Sequence, residues 1–294
     1  MPSSMDVSPP HRSPVWLVAN PSSGSFDEAA YERLLAALAG VGMEPDRIFR
    51  FPADDLPSSA DLDRNGIGIV AVFAGDGTIN TLILRLAGWG GQVLVLPGGT
   101  MNLLARRLHG SADACEIVER VGAGKGHAMR LPVARCRQGD ALAGFMAGPA
   151  TVWSDVREAM RQSNLFAFAN GVADAIGESL GGETVLLAEP AGGRAEGYPL
   201  LMATPTREGL VVDGFFAESA GDIAAHAVAL AQRDFRAGPS ERLGIFARIE
   251  LVSRDGSAPQ LLLDGEPATG DLRQVVEHRP CGVDLVATDP QEIA

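Results

Sequence analysis

The chain has 294 residues, and its 24 lysines and arginines against 37 aspartates and glutamates give a formal charge of −13. That balance excludes nucleic acid as a partner, and it means that an anionic membrane surface would be met through an apolar rim or a local basic patch. No run approaches the roughly 20 apolar residues of a transmembrane segment. Three scattered cysteines, Cys115, Cys136 and Cys281, fit neither a disulfide framework nor a Cys-x-x-Cys metal site, so a soluble protein of the reducing cytoplasm with buried free thiols is expected.

Residues 1–13, proline-rich and without the apolar core of a signal peptide, are expected to form a disordered tail. Strands and helices then alternate. The pattern predicts strand 15–20, helix 26–41 with its apolar or small face at Ala30, Tyr31, Leu34, Leu35, Leu38 and Val41, strand 47–51, and a short helix or loop through Pro57. Strand 67–73, helix 78–87, strand 92–96 and helices 101–108 and 112–121 follow. Such alternation implies parallel strands covered by helices.

Gly122, Gly124 and Gly126 mark an exit from this region. Beyond it short strand candidates dominate, at 128–136, 142–146, 184–188, 200–204, 210–217, 246–252, 260–263 and 272–277, as in antiparallel sheets packed face to face. Helical stretches near 164–180 and 221–232 interrupt them. The expected fold class is α/β with two domains, an N-terminal parallel-sheet nucleotide-binding domain over 14–127 and a C-terminal antiparallel β-sandwich domain over 128–285.

The most informative segment is Ala74-Gly75-Asp76-Gly77-Thr78-Ile79-Asn80, a glycine turn between an apolar strand and a helix. Main-chain N–H groups and the helix dipole at such a place can hold phosphate. Taken alone it is equally a tight turn with Thr78 as N-cap. Two further turns of the same kind shift the balance: Asn20-Pro21-Ser22-Ser23-Gly24 after the first strand, and Pro97-Gly98-Gly99-Thr100-Met101-Asn102 after strand 92–96. All three would gather at the carboxyl edge of one parallel sheet, where such sheets bind ligands.

In this order the three turns, together with Ala105-Arg106 and with Leu263-Asp264-Gly265-Glu266 near the C-terminus, resemble the diacylglycerol kinase catalytic-domain family, which includes bacterial soluble lipid kinases, sphingosine kinases and ceramide kinases. The resemblance spans most of the chain, with 136–204 matching poorly and Ala74 standing where the family has a second glycine. It implies a β-rich lipid-substrate domain facing the nucleotide domain, with the last residues, 286–294, returning to the first domain. The implied activity is transfer of the γ-phosphate of ATP, with Mg²⁺, to a lipid hydroxyl such as that of diacylglycerol or ceramide.

Phosphoryl transfer needs a phosphate cradle, a divalent cation and a group that positions the attacking hydroxyl. Asn20, Ser23, Gly24, Gly75, Gly77, Thr78, Gly98, Gly99 and Thr100 are the residues expected around ATP, with Asp76 and Asn80 orienting it. The resemblance makes Glu266 the proton acceptor, with Asp264 its partner or a metal ligand, and two adjacent carboxylates would push one pKa upward. The same Asp-Gly pair also reads as a hairpin turn. By resemblance a structural Mg²⁺ would be bound by the Asp213 carboxylate and the main-chain carbonyls of Leu210 and Phe215; Asp213-Gly214 reads equally as a plain turn.

The lipid partner would be met at the inner face of the membrane, in phospholipid biosynthesis, with Arg106 and Arg107 contributing to a basic patch or simply lying solvated on their helix. Trp153, Phe166 and Phe168 are candidates for an acyl-chain wall or for ordinary core. Two other readings stay open. NAD kinase shares the Gly-Asp-Gly-Thr turn, although Gly-Ser-Thr does not follow Thr204-Pro205-Thr206 and no Asn-Glu dipeptide occurs. A nucleotide-binding protein without catalysis is the other. Neither the oligomeric state nor the lipid is set by the sequence.

Overall fold

A computed structural model describes residues 14–22, 26–99, 102–148, 184–216 and 240–290. The expected tail, the two helical inserts, Trp153, Phe166 and Phe168 lie outside the described residues. The chain divides into two compact units, one of Met1–Arg130 with Gly282–Gln291 and one centred on Leu131–Cys281.

The first unit is built on one sheet. Strands β1 (Val15–Ala19), β2 (Arg47–Arg50), β3 (Ile69–Ala74), β4 (Gln92–Pro97), β5 (His127–Met129) and β17 (Asp284–Ala287) lie in the order β2-β1-β3-β4-β17-β5. All neighbours are parallel except β17 and β5. β1, β3 and β4 are buried along most of their length, which explains their near-continuous Val, Ile, Leu and Ala.

Helix α1 (Glu28–Gly40) starts where Asp27 accepts a hydrogen bond from the N–H of Ala29, and it buries Tyr31, Leu34 and Leu38 at helical spacing. α2 (Ser59–Arg64) is fixed by a reciprocal capping box between Ser58 and Asp61. It therefore begins after Pro57, not through it. α3 (Asp76–Arg85), α4 (Leu103–His109) and α5 (Ala114–Gly122) complete the unit, whose core joins Leu17, Leu34, Leu38, Phe73, Leu94, Leu96, Ile117 and Val118.

The second unit consists of two antiparallel sheets. One runs β12 (Ser240–Phe246), β11 (Leu210–Phe215), β10 (Leu200–Pro205), β8 (Phe145–Gly148), β14 (Gln260–Leu263), β15 (Glu266–Thr269). The other runs β7 (Gly139–Ala141), β6 (Pro132–Cys136), β16 (Gln274–Pro280), β13 (Arg248–Ser253), β9 (Val185–Glu189). Phe145, Leu201, Val212 and Leu263 of the first share one apolar core with Leu187, Ile249, Leu251 and Val276 of the second, which makes a sandwich. The α/β architecture with two domains expected from the sequence is the one observed.

The single strand expected over 128–136 is two. Arg130 and Leu131 separate β5, in the sheet of the first unit, from β6 in the second, so the break is where the chain changes units. Cys281 is buried, whereas Cys115 and Cys136 are half-buried rather than buried; all three are free thiols, and burial pushes the thiols of Cys115 and Cys136 up. No helix among the described residues is long and apolar enough to cross a membrane.

Candidate active site

In the order β2-β1-β3-β4 the chain winds outward from β1 to β2 and then restarts at β3, so a topological switch point falls between β1 and β3. The turn after β1 and the turn after β3 flank it. They are joined directly: the Nδ2 of Asn20 donates to Oγ1 of the buried Thr78 at 2.9 Å, and the main-chain N–H of Asn20 reaches the carbonyl of Phe73 at 3.4 Å. Asn20 also accepts from the N–H of Ser22 at 3.0 Å, which folds its own turn. Ser23 and Gly24 lie outside the described residues.

The second turn differs from the expectation in one detail. α3 begins at Asp76, with Gly75 as the N-cap, so Thr78 is a residue of the first helical turn and not the cap. Gly75 carries no side-chain acceptor, and no side chain caps the helix. The first-turn N–H groups of Gly77 and Thr78 therefore open onto the switch point at the positive end of a ten-residue helix, while the Asp76 N–H is bonded to its own carboxylate. Asn80 is buried on the same helix.

The third turn packs against the second, main chain to main chain. A Cβ on Gly98 would stand 2.7 Å from the nitrogen of Ala74, and one on Gly99 2.5 Å from the Cα of Gly75. These two glycines are required by the contact between turns, whatever the ligand. At Gly75 a Cβ would meet only an ordinary 3.7 Å contact with Gly99. Asn102, in the left-handed conformation with φ 51°, clasps Gly99 with both ends of its amide: Oδ1 accepts from the Gly99 N–H at 2.8 Å, and Nδ2 donates to its carbonyl at 2.7 Å. Thr100 lies outside the described residues.

Asp76 was expected to orient a nucleotide, but its carboxylate faces the start of α4. It accepts from the N–H of Leu103 at 3.2 Å and of Leu104 at 3.3 Å. Asn102, the N-cap of α4, gives no side-chain cap of its own, and Asp76 supplies the missing acceptor from 27 residues away. Burial raises the Asp76 carboxyl above the usual range, and the amides of Leu103 and Leu104 oppose that rise. Asn20, Asp76 and Asn102 thus lock three turns into one edge. On α4 itself Arg106 is solvated as expected, but Arg107 is 5% exposed and belongs to the interior.

In the second unit, Asp264 and Gly265 form the two-residue loop of the β14-β15 hairpin, both with positive φ, 52° and 90°. The Asp-Gly pair is thus a hairpin turn of the tightest kind. Asp264 is buried, and its carboxylate accepts from the N–H groups of Leu142 at 2.7 Å, Ala143 at 2.7 Å and Gly144 at 2.9 Å. Its own N–H donates to the carbonyl of Gly144 at 3.0 Å. The expected role of Asp264 as partner of the base or metal ligand does not suit this placement, because most of its roughly four acceptor positions are occupied by main chain. Glu266 opens β15 and is exposed, with no such commitment.

Asp213-Gly214 is not a turn but the middle of β11. Gly214 is glycine because the Tyr198 ring covers it, 2.5 Å from where a Cβ would stand. The residues expected to hold a structural Mg²⁺ do not fit a cation. Asp213 is 5% exposed and is taken in two-pronged fashion by Arg242, Nε at 2.9 Å and Nη2 at 3.3 Å. Leu210 and Phe215 are paired on both sides, to β10 and to β12, where main-chain carbonyls serve the ladder. Among the described residues no group of three His, Cys, Asp or Glu side chains could hold a metal ion.

Sequence reasoning missed Arg242 and the amides of 142–144, since a cross-strand partner and a loop more than a hundred residues distant leave no local signal. Residues 14–134 match the family described as the diacylglycerol kinase catalytic domain. No curated protein matches the chain. Among solved structures, a candidate diacylglycerol kinase from Bacillus anthracis str. Sterne is similar at TM-score 0.66 and 15% identity, over 97% of this chain and 98% of the other. A diacylglycerol kinase from the same organism is similar at TM-score 0.63 and 16% identity, over 95% and 98%. At such identities the likeness shows the fold alone. In sequence over residues 14–134 the chain is similar to the diacylglycerol kinase catalytic-domain family, and over nearly its whole length it shares the fold of the two solved structures.

Proposed function

We propose that the protein is an ATP-dependent lipid kinase that transfers the γ-phosphate to a hydroxyl of a diacylglycerol-like or ceramide-like lipid. One observation carries this reading: three turns locked together at the carboxyl edge of a parallel sheet, with the uncapped N-terminus of α3 between them. In this reading the first unit binds the nucleotide and the second the lipid.

The residues present suit a triphosphate. Amides of Gly77 and Thr78 in the first turn of α3 offer main-chain donors to phosphate oxygens, the turn at Gly98 and Gly99, whose own N–H groups are engaged by Ala74 and Asn102, gives the crevice a wall without side chains, and Asn20 and Thr78 fix that wall. The N–H groups of Leu103 and Leu104 are already engaged by Asp76, so the cradle depends on α3 and not on α4. Mg²⁺, when bound with ATP, would neutralise charge on the transferring phosphoryl oxygens; held mainly by phosphate and water, it needs no protein cage. Glu266 would accept the proton of the lipid hydroxyl. Its exposure leaves it available, while Asp264 holds the hairpin that carries it.

Purified protein, Mg-ATP and a panel of diacylglycerol, ceramide, sphingoid base, phosphatidylglycerol and NAD test this. A phosphorylated lipid is expected. If a folded protein that binds ATP labels no lipid, or labels NAD alone, the lipid reading is overturned. Glu266→Gln should lower turnover by about 10²–10⁴-fold, the usual worth of a proton acceptor, with ATP affinity within about twofold of the parent.

A further inference from the structure

The pairing of β11 with β12 contains one irregularity. Val212 is opposite Gly244, but the next residue, Asp213, is opposite Arg242, so Leu243 is the extra residue of a β-bulge. Gly244, at φ +147°, supplies the backbone conformation, and the ring of Phe246 lies 2.6 Å from where its Cβ would be. Without the bulge Leu243 would stand opposite Asp213. With it, a guanidinium does.

The electrostatics decide what that guanidinium does. Asp213 is nearly closed off from water, and a lone carboxylate so placed would be costly to keep charged. Arg242 meets it in the planar two-pronged geometry that matches a carboxylate best, while its own side chain stays about half exposed and well hydrated. The pair is neutral. A divalent cation added to it would face the positive guanidinium with both carboxylate oxygens already engaged, and Mg²⁺ gives up its water reluctantly.

We propose that Arg242, aimed at Asp213 by the bulge, fills in this protein the place the family resemblance gives to a structural divalent cation: it neutralises the buried carboxylate and fastens β12 to β11. At this place the described residues of the second unit therefore need no metal. This inference concerns the second unit alone and stands whether or not the protein phosphorylates a lipid.

The test uses the full chain without nucleotide, so that no cation is bound through phosphate. Thermal melting in EDTA and in millimolar Mg²⁺ at matched ionic strength should agree within about 1 °C, and Mn²⁺ titration followed by electron paramagnetic resonance should show the same binding in the parent and in Asp213→Asn. Arg242→Met should melt roughly 5 °C lower, because it strands a buried charge, whereas the double variant Asp213→Asn/Arg242→Met should recover most of that loss. A saturable Mn²⁺ site in the parent that Asp213→Asn abolishes would overturn the proposal. So would a stabilisation by Mg²⁺ that depends on Asp213, or an Arg242→Met protein that melts with the parent. If Arg242→Met does not fold, Arg242→Lys, which keeps the charge and loses the fork, takes its place and should melt between the two.

Discussion

Replacing Asp264 with Asn separates a clasp from a catalyst. Its carboxylate receives three main-chain N–H groups from one loop at 2.7, 2.7 and 2.9 Å, and the Leu142 donor is buried. An amide keeps one oxygen, enough for Ala143 and Gly144, but presents an NH₂ to the N–H of Leu142. The cost is one lost charge-assisted bond and one stranded donor, about 2–4 kcal/mol. Asn tolerates the left-handed φ of 52°, so no backbone strain is added. For a unit of this size that loss lowers the melting temperature by roughly 5–15 °C. The assay is thermal unfolding by circular dichroism, with urea midpoints as a check. Glu266→Gln, at an exposed position, is the control and should melt within about 1 °C of the parent. If Asp264→Asn keeps the parent's melting temperature and loses only turnover, Asp264 belongs to the chemistry and is no clasp.

Gly99→Ala drives a Cβ to 2.5 Å from the Cα of Gly75, so the second and third turns must separate; ATP affinity measured by calorimetry should fall at least tenfold, with about 1–3 kcal/mol of stability. Gly75→Ala meets only a 3.7 Å contact and should leave melting unchanged, so any loss of ATP affinity there reports a ligand touching the main chain. The ring of His109 is fully buried beside Thr288, and burial holds its pKa down from 6.5 to about 4. Between those values the unfolded chain binds the extra proton and the folded one does not. Stability is therefore whole above pH 6.5 and falls as the pH drops toward 4, by about 3 kcal/mol in total. The difference between the parent and His109→Asn in urea unfolding from pH 7 to pH 4 isolates this contribution, and a parallel pair of curves would refute it.

The parallel core was legible because strands buried on both faces announce themselves as apolar runs, Ile69–Ala74 and Gln92–Pro97 among them, and because the amphipathic helix α1 carries a side-chain cap at Asp27. Where a cap has no side chain, the start of the helix could not be read, and α3 begins two residues before the expected Thr78. β12, half-exposed and bulged, and β15, four residues with a proline, lack the alternation that marks a strand, and neither was foreseen. The turn residues of the site were readable as types. Their partners were not: Asp76 spends its carboxylate on α4, Asp213 on Arg242 and Asp264 on a loop some 120 residues earlier. A motif names an acid, but only the fold says whether that acid is free to act.

The strand β17 sits between β4 and β5 and is the sole partner of β5 among the described residues. A ribosome therefore delivers the sheet of the first unit with a gap, which stays open while the whole β-sandwich is translated, and only the emergence of Asp284–Ala287 closes it. Nascent chains halted before that point would carry β4 with one bare edge, a template for pairing with other chains. Synthesis order thus makes β17 a latch: until it is in place, the three turns rest on an unfinished sheet.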